Sequence, residues 1–291
     1  MDYFLHIIIL VTIYGMLAMA LNLVVGFLGI LSVAHGAFFG LGAYTFAILT
    51  VKTGVPFWIA LSSGAAAASL GGLLIAIPCL RLEGDYLALA TFGLAIAAYD
   101  IFNNCLALTE GPMGIAGIPG PDFGFTPLDY KACFLCLSGG VLGLLFFHLN
   151  RLISSPWGMV LRGIRDQEKV IEISGKDVRS YKLTAFVLSA GIAGIAGAFY
   201  ASYLSYIHPS NFMPMLSILA LCMVVLGGLG SMTGSLLGAG IIVVLPELLR
   251  FLPIPASMAG ILNQFIYGSI IVLLMLWRPQ GIMGQYRFQE G

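Results

Sequence analysis

Apolar runs of about 20 residues recur from one end of this 291-residue chain to the other, with only short polar interruptions. A helix of that length, rising about 1.5 Å per residue, crosses a hydrocarbon core of ~30 Å. Lipid offers no hydrogen bonds to the backbone, so the spanning elements must satisfy their own, and repeated runs of this length imply helices. Charged residues make up 9% of the chain, where a soluble domain carries about 25%. No stretch between the runs is long enough for a soluble domain. The expected fold class is therefore an all-α, polytopic integral membrane protein, with residues 1–291 forming a single domain.

Hydropathy places nine segments, uncertain within 8–10, near 5–25, 36–51, 57–80, 86–106, 132–150, 183–207, 215–228, 235–251 and 260–277. Several are short and rich in glycine, among them the runs holding Gly36, Gly40 and Gly42 and, later, Gly227, Gly228 and Gly230. Such segments are candidates for half-helices or re-entrant stretches buried in protein. The apolar core of residues 7–13 before Ala18-Met19-Ala20 resembles a signal peptide. The only side-chain charge before Lys52 is Asp2, however, so the positive start of a signal peptide is missing and the first helix is expected to be retained.

Eleven of the 26 charged residues fall between Arg151 and Lys182. If this island is cytoplasmic, ten of the thirteen basic residues lie inside and only Lys52, Lys131 and Arg250 outside, the asymmetry of the positive-inside rule. That places the N-terminus outside and the C-terminus inside. Val160, Ile164 and Ile171 are spaced for one helical face, with Arg162, Arg165, Asp166, Glu168, Lys169 and Glu172 on the others and Gly175 as a stop. A solvated connecting loop is the alternative. Length favours the helix, since a plain connection between spans needs about two to eight residues and this one uses some thirty.

Polar residues within the spans are few, which makes path candidates easy to name. Asp100 falls deep in the fourth segment with Asn103 and Asn104 on the same face, a costly carboxylate that calls for a partner or a cavity. Asn22 and His35 flank a glycine-rich break, either as a satisfied buried pair or as a gate or half-helix cap. Glu247 and Arg250 are spaced for an ion pair at an outer helix end. The outer loop 109–129 holds five Gly and four Pro and suits an ordered lid or a plain connector. Gly26 and Gly29 before Gly36, Gly40 and Gly42 are echoed by Gly227 and Gly230 before Gly234, Gly238 and Gly240; a transporter repeat and close packing of small residues both produce such spacing. Cys133 and Cys136 form a C-x-x-C inside an apolar segment, where helix packing is the ordinary role. His6, His35, His148 and His208 show no metal-ligand spacing, and neither a catalytic nor a metal site is expected.

Motifs along the chain resemble a known family. They include Leu21-Asn-Leu-Val-Val-Gly with Ser32-Val-Ala-His-Gly-Ala-Phe-Phe-Gly-Leu-Gly-Ala-Tyr44; Arg81-Leu-Glu-Gly-Asp-Tyr-Leu-Ala; and Gly111-Pro-Met-Gly-Ile. Further on come Gly158-Met-Val-Leu-Arg-Gly-Ile-Arg-Asp-Gln-Glu, Gly175, Tyr181-Lys-Leu-Thr-Ala-Phe, Ala193-Gly-Ile-Ala-Gly-Ala-Phe-Tyr-Ala, His208-Pro209, Val225-Leu-Gly-Gly-Leu-Gly-Ser, Leu245-Pro-Glu and Trp277-Arg-Pro-Gln-Gly. In this order, over about 20–282, they resemble the LivM-type permease subunits of bacterial branched-chain amino acid ABC importers.

The resemblance implies an inner-membrane subunit paired with a homologous second permease, two cytoplasmic ATP-binding subunits and a periplasmic substrate-binding protein. The chain has no G-x-x-x-x-G-K-[ST] phosphate loop, so it would not be an enzyme, and ATP and Mg would belong to the partner subunits. Residues 151–182 would be the coupling loop, with Arg162, Arg165, Asp166, Glu168 and Gly175 addressing the ATPase. Two departures from the family pattern stand out: Val170 and Ile171 where small residues are usual, and Ile96 and Tyr99 where an acidic and a basic residue are usual. Import of branched-chain or other hydrophobic amino acids by alternating access is the leading expectation. A permease for urea or short amides in the same family is the second, and a stand-alone secondary transporter, which would need several ionisable residues within its spans, the third.

Overall fold

The computed structural model of the chain describes residues 2–82, 84–122, 127–249, 268–269 and 281–284, with backbone alone at 127–129 and 248–249. The segment expected at 260–277 lies almost wholly outside them, as do Arg250, Arg278 and Arg287.

Helix α1 (Asp2–Asn22) is apolar on every side, and every residue from Gly15 to Asn22 is buried, so it is the central post of the bundle. It runs on through a π-helical turn, Leu23–Phe27, and there the helix stops. Residues 28–34 are not helical, yet Leu28, Ser32 and Ala34 are buried. Their backbone finds partners inside the protein: Ile30 N–H donates to Val24 O at 3.1 Å and Val33 N–H to Thr91 Oγ1 at 3.1 Å. Irregular backbone survives at membrane depth only under such cover.

The chain resumes as α2 (His35–Thr53), which ends on Gly54 in the left-handed conformation, and Pro56 turns it into α3 (Phe57–Cys79). There follow α4 (Asp85–Asn104), the short α5 (Leu106–Thr109), β1 (Ile115–Ala116), α6 (Pro127–Ile153), α7 (Pro156–Ile173) and α8 (Val178–Leu204). Strand β2 (Tyr206–Ile207) pairs antiparallel with β1, Ile115 opposite Ile207. Pro214 opens α9 (Pro214–Gly227), and α10 (Met232–Leu249) completes the described bundle.

Among the described residues six helices are long and apolar enough to cross a membrane: α1 with its π-turn, α2, α3, α4, α6 and α8. Glycine-rich α2 is one of them, with 19 residues. The short element is α9, whose 14 residues span about 21 Å. It forms a hairpin with α10, and the first turn of α2 meets the first turn of α9 inside the bundle, where Gly36 N–H donates to Ser217 Oγ at 2.7 Å.

Small residues set the helix spacing. Helices α2, α3 and α8 form the tightest trio, where Gly42 lies against the backbone of Gly194 and Gly64 against the carbonyl of Gly42. Gly227 and Gly234 meet backbone to backbone in the α9–α10 hairpin. Without a hydrophobic force between helices in lipid, such close approach supplies the packing energy. Cys133 and Cys136 are both free thiols on α6.

The helix ends divide between two faces. One face carries the ends joined by Lys52 Nζ donating to the carbonyls of Ala107 and Leu108, by Tyr3 Oη donating to Glu247, and by the β1–β2 pair. The other carries the α1–α2 break, the α3–α4 turn, α7 and the α9–α10 turn. Of the ten basic residues among those described, Lys52 and Lys131 lie toward the first face and eight toward the second.

Candidate functional site

The charged island folds as two helical pieces. Residues Pro156–Ile173 are helical except at Gln167, whose φ of −153° and ψ of 87° break the element into an arm ending at Asp166 and a short arm beginning at Glu168. The expected single amphipathic helix is therefore kinked. Its buried edge is Gly158, Leu161 and Ile164 rather than the expected Val160, Ile164 and Ile171; Val160 and Ile171 are half-buried. Pro156 fits the first helical turn, where its missing N–H costs nothing. Gly158 lets the turn sit directly on the Ile153 carbonyl, and Arg162 Nη2 donates to that carbonyl at 3.2 Å.

Arg165 faces inward. Its side chain is 15% exposed, its Nη1 donates to Gly26 O at 2.7 Å, and its Nε pairs with Asp166 at 3.0 Å. Gly29, at φ +78°, lies beneath the arginine stem with no room for a Cβ, and Gly230 closes the other side. The short arm has a tether of its own: Lys182 on α8 donates to both carboxylate oxygens of Glu168 at 2.7 Å. One arm of α7 is thus tied to the end of α1 and the other to the start of α8, with the Gln167 kink between them.

What remains exposed on α7 is a mixed surface. Met159, Val170 and Ile173 are exposed, Ile173 at 86%, beside Asp166, Lys169 and Glu172. Of the five residues expected to address the ATPase, Asp166, Glu168 and Gly175 are exposed, whereas Arg162 and Arg165 turn toward their own chain. Gly175, at φ +81°, ends the short arm before Asp177 caps α8, its carboxylate accepting from Ser180 N–H.

The expected path residues part company. Asn22 is fully buried and fully used: Nδ2 donates to Ser231 O at 2.8 Å and to Ser235 Oγ at 2.6 Å, while Oδ1 accepts from Gly230 N–H at 3.1 Å. It clamps the end of α1 to the α9–α10 turn beside the Arg165 seat and does not pair with His35. Membrane-buried hydrogen bonds average about 0.6 kcal/mol each, and a stranded donor adds about 1–3 kcal/mol. Asn22→Ala is expected to lower stability by about 2 kcal/mol and Ser235→Ala by under about 1 kcal/mol, read from thermal unfolding of the purified chain; equal shifts would refute the clamp.

His35 opens α2 and is fully buried. Ser189 Oγ donates to Ala20 O at 2.6 Å, so His35 Nε2 carries the proton that meets Ser189 Oγ at 2.6 Å. Its Nδ1 is a buried acceptor with no hydrogen bond among the described residues. This linkage joins α1, α2 and α8 in the bundle interior.

Asp100 lies four residues from the end of α4 on the first face, with an exposed side chain, and Asn104 Nδ2 donates to its backbone carbonyl at 2.9 Å. Asn103 is half-buried on the same side. Three polar side chains on an exposed helix face need water or a polar partner there, since hydrocarbon satisfies none of them. Sequence reasoning missed Lys182, Gly26, Gly29 and Gly230 as parts of the α7 seat. The one available signal was the glycine echo, from whose two sets non-corresponding members, Gly26 and Gly230, meet in space.

No solved structure matches the chain. Among curated proteins it is 36% identical to the high-affinity branched-chain amino acid transport system permease protein LivM of Escherichia coli K12, over 96% of this chain and 70% of that one. It is 34% identical to the protein of the same name from Salmonella typhimurium, over 95% and 69%. The high-affinity permease protein LivH of Escherichia coli K12 is 24% identical over 94% and 91%. The family model for the permease component of branched-chain amino acid transport systems matches residues 3–275, so the chain belongs to that family of membrane permeases.

Proposed function

We propose that the chain is the transmembrane subunit of an ATP-driven importer of branched-chain or other hydrophobic amino acids, in a bacterial inner membrane, with the N-terminus outside and the C-terminus in the cytoplasm. The observation that carries this reading is α7: a kinked charged element on the face holding eight of the ten described basic residues, tied inward at Arg165 and Glu168 and presenting Met159, Val170 and Ile173 outward. Such a surface suits a cleft in an ATPase subunit, and two tethers to different helices suit the transmission of its movement. Residues 1–291 then act as one permease domain that binds no cofactor itself, ATP and Mg being held by two partner ATPases. A second homologous permease and a periplasmic binding protein complete the assembly. Likeness to both LivM and LivH proteins supports a pair of different permeases. The exposed polar face at Asp100, Asn103 and Asn104 suits a water-filled path shared with the second permease.

The test is uptake of labelled leucine into proteoliposomes holding this chain with those partners. Saturable uptake that requires ATP and the binding protein is expected. Uptake without ATP would revive a secondary transporter, and ATPase stimulated by urea but not by leucine would move the substrate to short amides.

A further inference from the structure

Tyr44 of α2, Phe102 of α4 and Phe212 of the turn before α9 close on one another beneath the first face. The rings of Tyr44 and Phe102 stack with centroids 4.7 Å apart, Phe212 meets them edge-on at 5.5 and 6.2 Å, and none of the three is more than 4% exposed. Gly40, a turn before Tyr44, lets them lie on α2, since a Cβ there would come within 2.9 Å of both Phe102 and Phe212. Tyr44 is eight residues before Lys52, so the cluster sits about 12 Å inside the first face.

The Tyr44 hydroxyl is the odd atom of this cluster: it is buried and has no hydrogen bond among the described residues. An unpaired hydroxyl in an apolar surround is a cost that the closed rings bear and that water or a polar solute would relieve. The helix that supplies Phe102 is lightly held. Of the 20 residues of α4 only Leu87, Thr91, Ala95 and Phe102 are buried, whereas α2 and α8 meet backbone to backbone at Gly42 and Gly194. Beyond the rings, the first-face end of α4 and α5 is tied to α2 by the exposed Lys52, whose Nζ donates to the carbonyls of Ala107 and Leu108 at 3.0 Å. Segments with few buried contacts are the ones that open at low cost.

We propose that Tyr44, Phe102 and Phe212 are the gate between the substrate path and the outer side, shut in this structure, and that it opens when the end of α4 swings away from α2 and bares the Tyr44 hydroxyl to the path. The proposal rests on the orientation and the importer reading given above. Asp100, Asn103 and Asn104 flank Phe102 along α4, so the rings stand at the polar mouth of that path. Three packed rings exclude water and a zwitterion alike. The ring stack favours the shut form and the unpaired hydroxyl disfavours it, so a change at either residue shifts the population in a known direction.

Pulsed electron paramagnetic resonance on the assembled importer in nanodiscs tests the movement, with the five natural cysteines replaced by alanine and spin labels on Trp58→Cys and Leu108→Cys, exposed positions on α3 and α5. A second distance, longer by about 5 Å or more, is expected in one nucleotide state. Tyr44→Phe is expected to cut the long-distance fraction about fivefold, because opening then relieves nothing. Phe102→Ala is expected to make the long distance the major one. Phe186→Ala removes an equally buried ring outside the gate and is expected to keep the wild-type distribution. The gate is overturned if one distance persists with and without ATP, if Tyr44→Phe leaves the long fraction unchanged or raises it, or if Phe186→Ala lengthens the distance as Phe102→Ala does. Should Phe102→Ala fail to assemble, the wild type and Tyr44→Phe decide alone. Labelled leucine uptake by the unlabelled wild-type importer keeps the two readings apart: its absence refutes the importer, and a fixed distance refutes the gate.

Discussion

Arg165→Ala in the assembled importer is expected to leave ATP hydrolysis running while substrate uptake per ATP falls about tenfold or more. The guanidinium is 15% exposed and gives one charge-assisted bond to the Gly26 carbonyl at the end of α1. A hydrogen bond to a charged group contributes about 1.5–3 kcal/mol, and about 1.4 kcal/mol is tenfold in an equilibrium. Without it the longer arm of α7 still docks outward through Met159 and its neighbours but no longer grips α1. Asp166→Ala removes only an exposed partner and is expected to change coupling by less than about 1 kcal/mol. Arg165→Lys keeps one donor for Gly26 and should recover part of the loss. Parallel decline of ATPase and uptake would mean that the assembly is lost, and unchanged coupling would remove Arg165 from the transmission path.

Most of the helical plan was legible because apolar run length and the bilayer fix each other. Eight of the nine expected segments fall on helices of the fold, and the ten described basic residues divide two and eight between its faces. What hydropathy could not reveal is which glycines touch. Gly26 and Gly230 are about two hundred positions apart, and their adjacency depends on how α1 and the α9–α10 hairpin pack. The kink at Gln167 was equally hidden, since no Gly or Pro marks it. Hydropathy ran the segment of Asp100 past Asn104 to 106, whereas α4 ends at Asn104, four residues beyond Asp100, and α5 starts afresh at Leu106. Asn22 and His35 are both buried, but their partners, Ser231 in the α9–α10 turn, Ser235 on α10 and Ser189 on α8, lie far along the chain, where no local pattern links them.

Gly197→Leu is expected to abolish the folded bundle, where Gly140→Leu is expected to be tolerated. A Cβ at Gly197 would fall closer than 3.0 Å to the carbonyl oxygen and carbon of Phe39, both backbone atoms of α2. Backbone cannot swing aside as a side chain does, so α8 and α2 must separate along their shared seam. Separation propagates, because Gly194, a turn away, is pressed against Ala68 and Gly64 of α3, and Gly42 of α2 against Gly194. Overpacking of this kind costs about 3 kcal/mol or more, over a hundredfold in the folded-to-unfolded ratio. At Gly140 on α6 a Cβ would meet nothing within 4 Å, and leucine there improves helix propensity by roughly 0.5–1 kcal/mol. Size-exclusion profiles of the two detergent-solubilised variants give the comparison: loss of the monodisperse peak for Gly197→Leu alone is the expected result. Equal profiles would show that the α2–α8 seam has slack, and the case for glycine-set helix spacing would fail with it.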